Sequence, residues 1–164
     1  MIAKTYNILF LCTGNSARSI LAEGLITHLS GGRFHGFSAG SYPTGRVNPF
    51  ALEALKQFGC DTTNCSSKSW DVFAEPDAPR MDFVITVCDN AAGEVCPIWP
   101  GHPMTAHWGF ADPSHVEGDA ATRQAAFMRT ANAIAHRLRL FLSIPIEKLD
   151  RMALTSEIKS LGEV

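Results

Sequence analysis

Apolar residues come in two rhythms along this chain, short continuous runs and longer stretches spaced for a helix. "TYNILFLC" (5–12) is a continuous, β-rich run of the length of a buried strand. "ARSILAEGLITHLS" (17–30) then sets Ile20, Leu21, Leu25, Ile26 and Leu29 on a helical repeat, stopped by Gly31 and Gly32. "RFHGFSAGS" (33–41) reads as a second strand. "NPFALEALKQFG" (48–59) reads as a second helix, with Asn48 as cap, Pro49 in the first turn and Gly59 at the end. The polar stretch "TTNCSSKSW" (62–70) leads into a short amphipathic piece that ends in "AEPDAPR" (74–80). "MDFVITVC" (81–88) is another buried strand and "MTAHWG" (104–109) a shorter one. The longest helix is "DAATRQAAFMRTANAIAHRLRLFLS" (119–143), and "IEKLDRMALTSEIKSLG" (146–162) gives the last.

Strands alternating with helices in this order imply an α/β fold with a parallel, doubly wound sheet. The expected architecture is a four-stranded parallel sheet with helices on both faces over residues 1–144, with residues 145–164 as a C-terminal helical extension packed on it. A chain of 164 residues that is 46% hydrophobic suffices for one ordinary core. If strands one and three are neighbours, Cys12 and Cys88 both end parallel strands, at the sheet edge where open α/β folds bind ligands.

Charge and cysteine content narrow the chemistry. A formal net charge of −2 without a basic run argues against a nucleic-acid surface while leaving room for a local anion site. No apolar run approaches the ~20 residues of a membrane span, and no cleavable leader is evident. Cysteines at 12, 60, 65, 88 and 96 are odd in number, which suits thiol chemistry in a reducing cytoplasm better than a disulfide scaffold.

Cys12-Thr13-Gly14-Asn15-Ser16-Ala17-Arg18 joins the first strand to the first helix. Small residues there let successive backbone N–H groups point inward as an anion nest, and the helix N-terminus adds positive potential. Arg18 offers a planar, two-pronged donor to a tetrahedral oxyanion. The same field, with the Ser19 hydroxyl, is expected to lower the Cys12 thiol from a pKa of ~8.5 towards ~6, about 3.4 kcal/mol of stabilisation. A cysteine so placed is a nucleophile held against a phosphate-like anion.

"LCTGNSARS" (11–19) resembles the phosphate-binding loop of the low-molecular-weight protein tyrosine phosphatases. "AEG" (22–24), "SAG" (38–40) and "VNP" (47–49), and above all "TVCDNAAGEVCP" (86–97) and "HWGFADP" (107–113), are similar to the arsenate reductases built on that fold. The resemblance covers about residues 5 to 143. It implies reduction of arsenate to arsenite, in arsenic detoxification, with electrons from thioredoxin or from glutathione and glutaredoxin. Phosphate or sulfate would mimic the substrate. Thr13, Gly14, Asn15, Ser16, Ala17, Arg18 and Ser19 would bind the oxyanion.

A reductase of this kind must place two electrons, so a second thiol has to attack the sulfur of Cys12. The resemblance assigns that step to Cys88 and passes the disulfide on to Cys96, since exchange moves a bond one sulfur at a time. It makes Asp112, in Asp-Pro, the general acid. Trp108, with Trp99, is expected to pack beneath that loop, His107 and His115 are candidates to face the site, and Cys60 and Cys65 read as structural. Some relatives bind potassium through positions matching Asn15, Glu23 and Ser38. The fourth ligand falls on Lys68, whose ammonium would take the cation's place, so neither metal nor cofactor is expected.

Two other functions fit parts of the pattern. A tyrosine phosphatase would use the same thiol, but Thr13, Gly14 and Ala17, with Ser114 and His115 after Asp-Pro, lack the bulk that sandwiches a phenol ring. A thiol-based arsenic or redox sensor would need no general acid and some output segment.

Overall fold

The computed structural model describes residues 4–88 and 102–163. β1 (Tyr6–Cys12), β2 (Phe34–Gly40), β3 (Phe83–Thr86) and β4 (Met104–His107) form one sheet in the order β2-β1-β3-β4. All three pairings are parallel. β1 is central, and from Ile8 to Cys12 it is apolar and buried, as a strand covered on both faces must be. Its alternation splits the core. Ile8, Phe10 and Cys12 face one hydrophobic cluster, Leu9 and Leu11 the other.

The larger cluster lies under α1 (Arg18–Leu29), α2 (Pro49–Gln57) and α3 (Ala120–Leu142). Phe34, Phe83, Phe141 and Trp108 meet there with ring centroids 5.1–6.0 Å apart. The smaller cluster is closed by a 3-10 turn, Trp70–Phe73, from the segment read as a short amphipathic piece. A last helix, α4 (Arg151–Leu161), packs Leu154 and Ile158 into the larger cluster beside β4. The pattern at 146–162 is therefore two pieces, because Asp150 caps a new helix by accepting from the Ala153 N–H.

Register does the work of assembling the site. Leu11 lies opposite Thr86, and the Val87 N–H donates to the Leu11 carbonyl, so Cys12 and Cys88 leave the sheet side by side. Cys12 also pairs with Gly40 at the end of β2. The carboxyl ends of three strands thus converge on one edge, and the condition that strands one and three be neighbours is met. Among the described residues no helix is long and apolar enough to cross a membrane.

Candidate active site

The loop from Cys12 to Arg18 is shaped from behind. Its Thr13, Gly14 and Ser16 carbonyls accept from the N–H groups of Tyr42, Thr44 and Asn48 at 3.0, 3.0 and 2.9 Å. The Ser67 hydroxyl adds a second bond to the Gly14 carbonyl at 3.2 Å. In a trans peptide the N–H points away from the preceding C=O. Three carbonyls held outward therefore turn the N–H groups of Gly14, Asn15 and Ala17 towards the cavity side. The Asn15 N–H reaches the sulfur of Cys12.

Asn15 is fully buried and left-handed, with φ +46°, a conformation that asparagine tolerates better than most residues. Its amide donates to Ser19 Oγ at 2.8 Å, and its oxygen accepts the Lys68 N–H at 2.8 Å. Ser19 in turn donates to Cys12 Sγ at 3.5 Å. Gly40 stands against the back of the loop. A Cβ there would lie 2.4 Å from the Thr13 carbonyl oxygen and 3.0 Å from the Asn15 nitrogen. Helix α1 starts at Ala17 with no side-chain cap, whereas Asn48, Asp119 and Asp150 cap the other three. The first-turn N–H groups of α1 are left for an anion.

Opposite the loop, the segment after β4 brings the acid. Asp112 Oδ1 accepts from the Ser114 N–H and hydroxyl at 2.9 and 2.7 Å. Oδ2 lies 3.3 Å from Arg18 Nη2 and 3.5 Å from His115 Nε2. Arg18 Nη1 donates to the Phe110 carbonyl at 2.9 Å, so the guanidinium ties α1 to this segment twice. Burial pushes the Asp112 carboxyl up, but the bonds from Ser114 and the charges of Arg18 and His115 outweigh it and hold the group below the usual carboxylate range.

Between the two lies a cavity of about 510 Å³, lined by Cys12, Thr13, Gly14, Arg18, Cys88 and Asp112, among others. Ser16, Ala17 and His115 also border it. The side chains of Asn15 and Ser19 sit behind the loop and act on it from there, while the Asn15 N–H turns to the cavity side. The Cys88 thiol lies 3.7 Å from Thr13 Oγ1 and shares a hydrogen bond with Cys12. That bond and burial raise the Cys12 pKa, against the Ser19 hydroxyl and the Asn15 N–H. This corrects the expectation of a thiolate: Cys12 shares a hydrogen bond with another thiol, and Arg18 is engaged with Asp112 and Phe110.

Cys96 and Trp99 lie outside the described residues. Trp108 is buried under the acid segment, packed against Phe10 and Phe141. His107 bonds Thr86 Oγ1 at 2.7 Å and does not border the cavity. Nor do Cys60 and Cys65, whose thiols burial pushes up, that of Cys65 to about 11.

Glu23, Ser38, Asn15 and Lys68 do come together. Ser38 Oγ donates to Glu23 Oε1 at 2.5 Å, and Lys68 Nζ stands 3.9 Å from the same oxygen. Burial pushes the Glu23 carboxyl up and the Lys68 ammonium down, and their mutual attraction offsets part of each shift. With the Asn15 oxygen and the Ser38 hydroxyl already engaged, and an ammonium beside the carboxylate, this donor set does not suit a potassium ion. No group of three His, Cys, Asp or Glu able to hold a metal occurs among the described residues.

Sequence reasoning missed the Phe110 carbonyl, the three outer N–H donors and the packing role of Gly40. A signal existed only for the last, since "SAG" ends the strand expected beside the first.

The sequence profile of the low molecular weight phosphotyrosine protein phosphatases matches residues 7–154. Arsenate reductase from Bacillus subtilis is 39% identical over 134 residues, 82% of this chain and 93% of that protein. Arsenate reductase from Halalkalibacterium halodurans is also 39% identical, over the same shares. Among solved structures, a thioredoxin-dependent arsenate reductase from Corynebacterium glutamicum superposes with a TM-score of 0.62 at 25% identity. That match covers 90% of this chain and 66%, just under two thirds, of the other.

Proposed function

The chain belongs to the low molecular weight phosphotyrosine protein phosphatase family, and we propose that it is a cytoplasmic arsenate reductase that works through Cys12, Cys88 and Cys96. One observation carries this reading. A second thiol, Cys88, borders the oxyanion cavity within hydrogen-bonding reach of the first. A phosphatase has no use for it.

The arsenate dianion enters the nest of N–H groups and draws the Arg18 guanidinium, a bidentate donor matched to its oxygens. The Cys12 proton passes to an arsenate oxygen, and the thiolate attacks arsenic. Asp112 protonates the departing oxygen, which leaves as water. As Arg18 turns to the anion, Asp112 loses one positive neighbour, so its pKa rises and the carboxyl takes up and holds the proton that it then donates.

Cys88 then attacks the sulfur of Cys12. The electron pair of the S–As bond goes to arsenic, which falls from As(V) to As(III) and leaves as arsenite, and a Cys12–Cys88 disulfide remains. Cys96 attacks Cys88, frees Cys12, and the Cys88–Cys96 disulfide goes to the donor. That donor is a thioredoxin or a glutathione–glutaredoxin couple. Phosphate and sulfate compete for the nest because they share arsenate's geometry. No nucleic acid takes part.

The test is arsenite production with each donor system supplied separately. Sustained turnover with one of them is expected. Hydrolysis of aryl phosphate with no arsenite from any donor would make the protein a tyrosine phosphatase instead.

A further inference from the structure

Helix α4 ends on the strand that delivers the acid. The indole N–H of Trp108 donates to the Ile158 carbonyl at 3.0 Å, and Trp108 is 1% exposed. That carbonyl is one of the last four of α4, which have no partner inside the helix. The Gly162 N–H turns instead to Lys159 and Ser160. One residue before Trp108, the His107 carbonyl oxygen lies where a side chain on residue 162 would go, 2.2 Å from its Cβ. Only glycine lets the helix end approach this closely. At its other end, α4 bonds the chain just before β4, with Arg151 donating to the His102 carbonyl. The family profile stops at residue 154, before Ile158 and Gly162.

Three residues separate Trp108 from Asp112, and the segment is pinned along the way. The Trp108 N–H donates to the Thr86 carbonyl at 2.7 Å, and the Phe110 N–H to the Val87 carbonyl at 3.2 Å. The Phe110 carbonyl holds Arg18, which also faces Asp112. We propose that α4 is a strut of the active site, and that Trp108 and Gly162 are positioning residues that set Asp112 against Arg18 and Cys12. This rests on the reading of Asp112 as the general acid. Without the strut, β4 is an edge strand held by β3 alone, and the acid segment gains the freedom to swing from the cavity. A buried indole N–H left without its acceptor is costly, so the two contacts form or fail together.

Trp108→Phe keeps the ring's bulk and removes the donor, and Gly162→Ala pushes the helix end off His107. Each is measured for arsenate turnover alone and combined with Asp112→Asn. The strut predicts a roughly tenfold fall in kcat at unchanged KM, short of the ~100-fold that a 1 Å misplacement brings. It also predicts less than about a twofold further fall in the Asp112→Asn background, since the acid is already gone. An equal loss in both backgrounds would reduce the contacts to ordinary packing and overturn the proposal. If Asp112→Asn alone leaves kcat intact, the acid assignment fails, and the strut's role falls with it.

Amide exchange in Gly162→Ala gives a readout independent of turnover. Exchange of the Phe110 N–H should rise about tenfold or more while the β1 amides keep their protection. Unchanged exchange at Phe110 would contradict the strut. Met152→Ala, on the exposed side of α4, is the control and should match wild type throughout.

Discussion

The loops after β1 and after β4 face each other across the same cavity, yet they are held in different ways. The first is a cradle of backbone, with three carbonyls bonded from behind, a buried left-handed asparagine as keystone and Gly40 pressed against its back. The second is held by side chains: Arg18 on Asp112 and Phe110, Ser114 on Asp112, and Trp108 on α4. An anion that takes Arg18 also loosens the second loop. On the proposed mechanism, binding therefore belongs to the half of the site built from backbone and proton transfer to the half held by side chains.

The hardest way to break the backbone half is to remove its nucleophile. Cys12→Ser should lower arsenite production below detection and keep sulfate binding, because the N–H groups survive. Arg18→Lys comes next, with a loss of roughly 100-fold or more in kcat/KM, since an ammonium cannot make the two-pronged contact. It strikes both halves at once, so sulfate affinity should fall and exchange at Phe110 should rise together. Near-wild-type values for both would show that Arg18 clamps neither.

Gly40→Ala attacks the cradle alone. A methyl group 2.4 Å from the Thr13 oxygen must move backbone, so sulfate affinity should fall by about tenfold, with the acid loop's exchange unchanged. Equal affinity would mean that the cradle is softer than its hydrogen bonds suggest.

The smallest effect is the stability held in the side-chain half. The Asp112 pKa is depressed in the folded protein, so its contribution is present above the ordinary carboxylate value near ~3.9 and is lost as pH falls through the depressed one. Asp112→Asn should cost less than about 1 kcal/mol at pH 7, as expected for a partly exposed ion pair. The difference in Tm from wild type should shrink steadily as pH falls below the ordinary carboxylate value. A gap that widens at low pH would have the wrong sign.

The two halves also differed in how far the sequence disclosed them. The cradle is contiguous, Cys12 to Ser19, and residue type alone implies its chemistry. The parallel sheet followed from the alternation of strands and helices, while the pairing of β1 with β3 entered only as a condition. What escaped was supplied by backbone from far along the chain: the Tyr42, Thr44 and Asn48 amides, the Phe110 carbonyl and the Ile158 carbonyl. A carbonyl has no residue type, so no pattern marks it. The state of Cys12 escaped for a related reason. Counting N–H groups and Arg18 predicts a thiolate, but Arg18 is turned to the opposite loop and the Cys88 thiol lies beside the sulfur.

The central claim is that Cys88 attacks the sulfur of Cys12 and displaces arsenic as arsenite, and one measurement tests it most directly. Cys96→Ser is given arsenate for a single turnover without any donor, its free thiols are alkylated, and its peptides are mapped. The account predicts one arsenite released per chain and a Cys12–Cys88 disulfide, with Cys60 and Cys65 alkylated. Arsenite release with Cys88 still alkylated, or a disulfide joining Cys12 to any other cysteine, would contradict it.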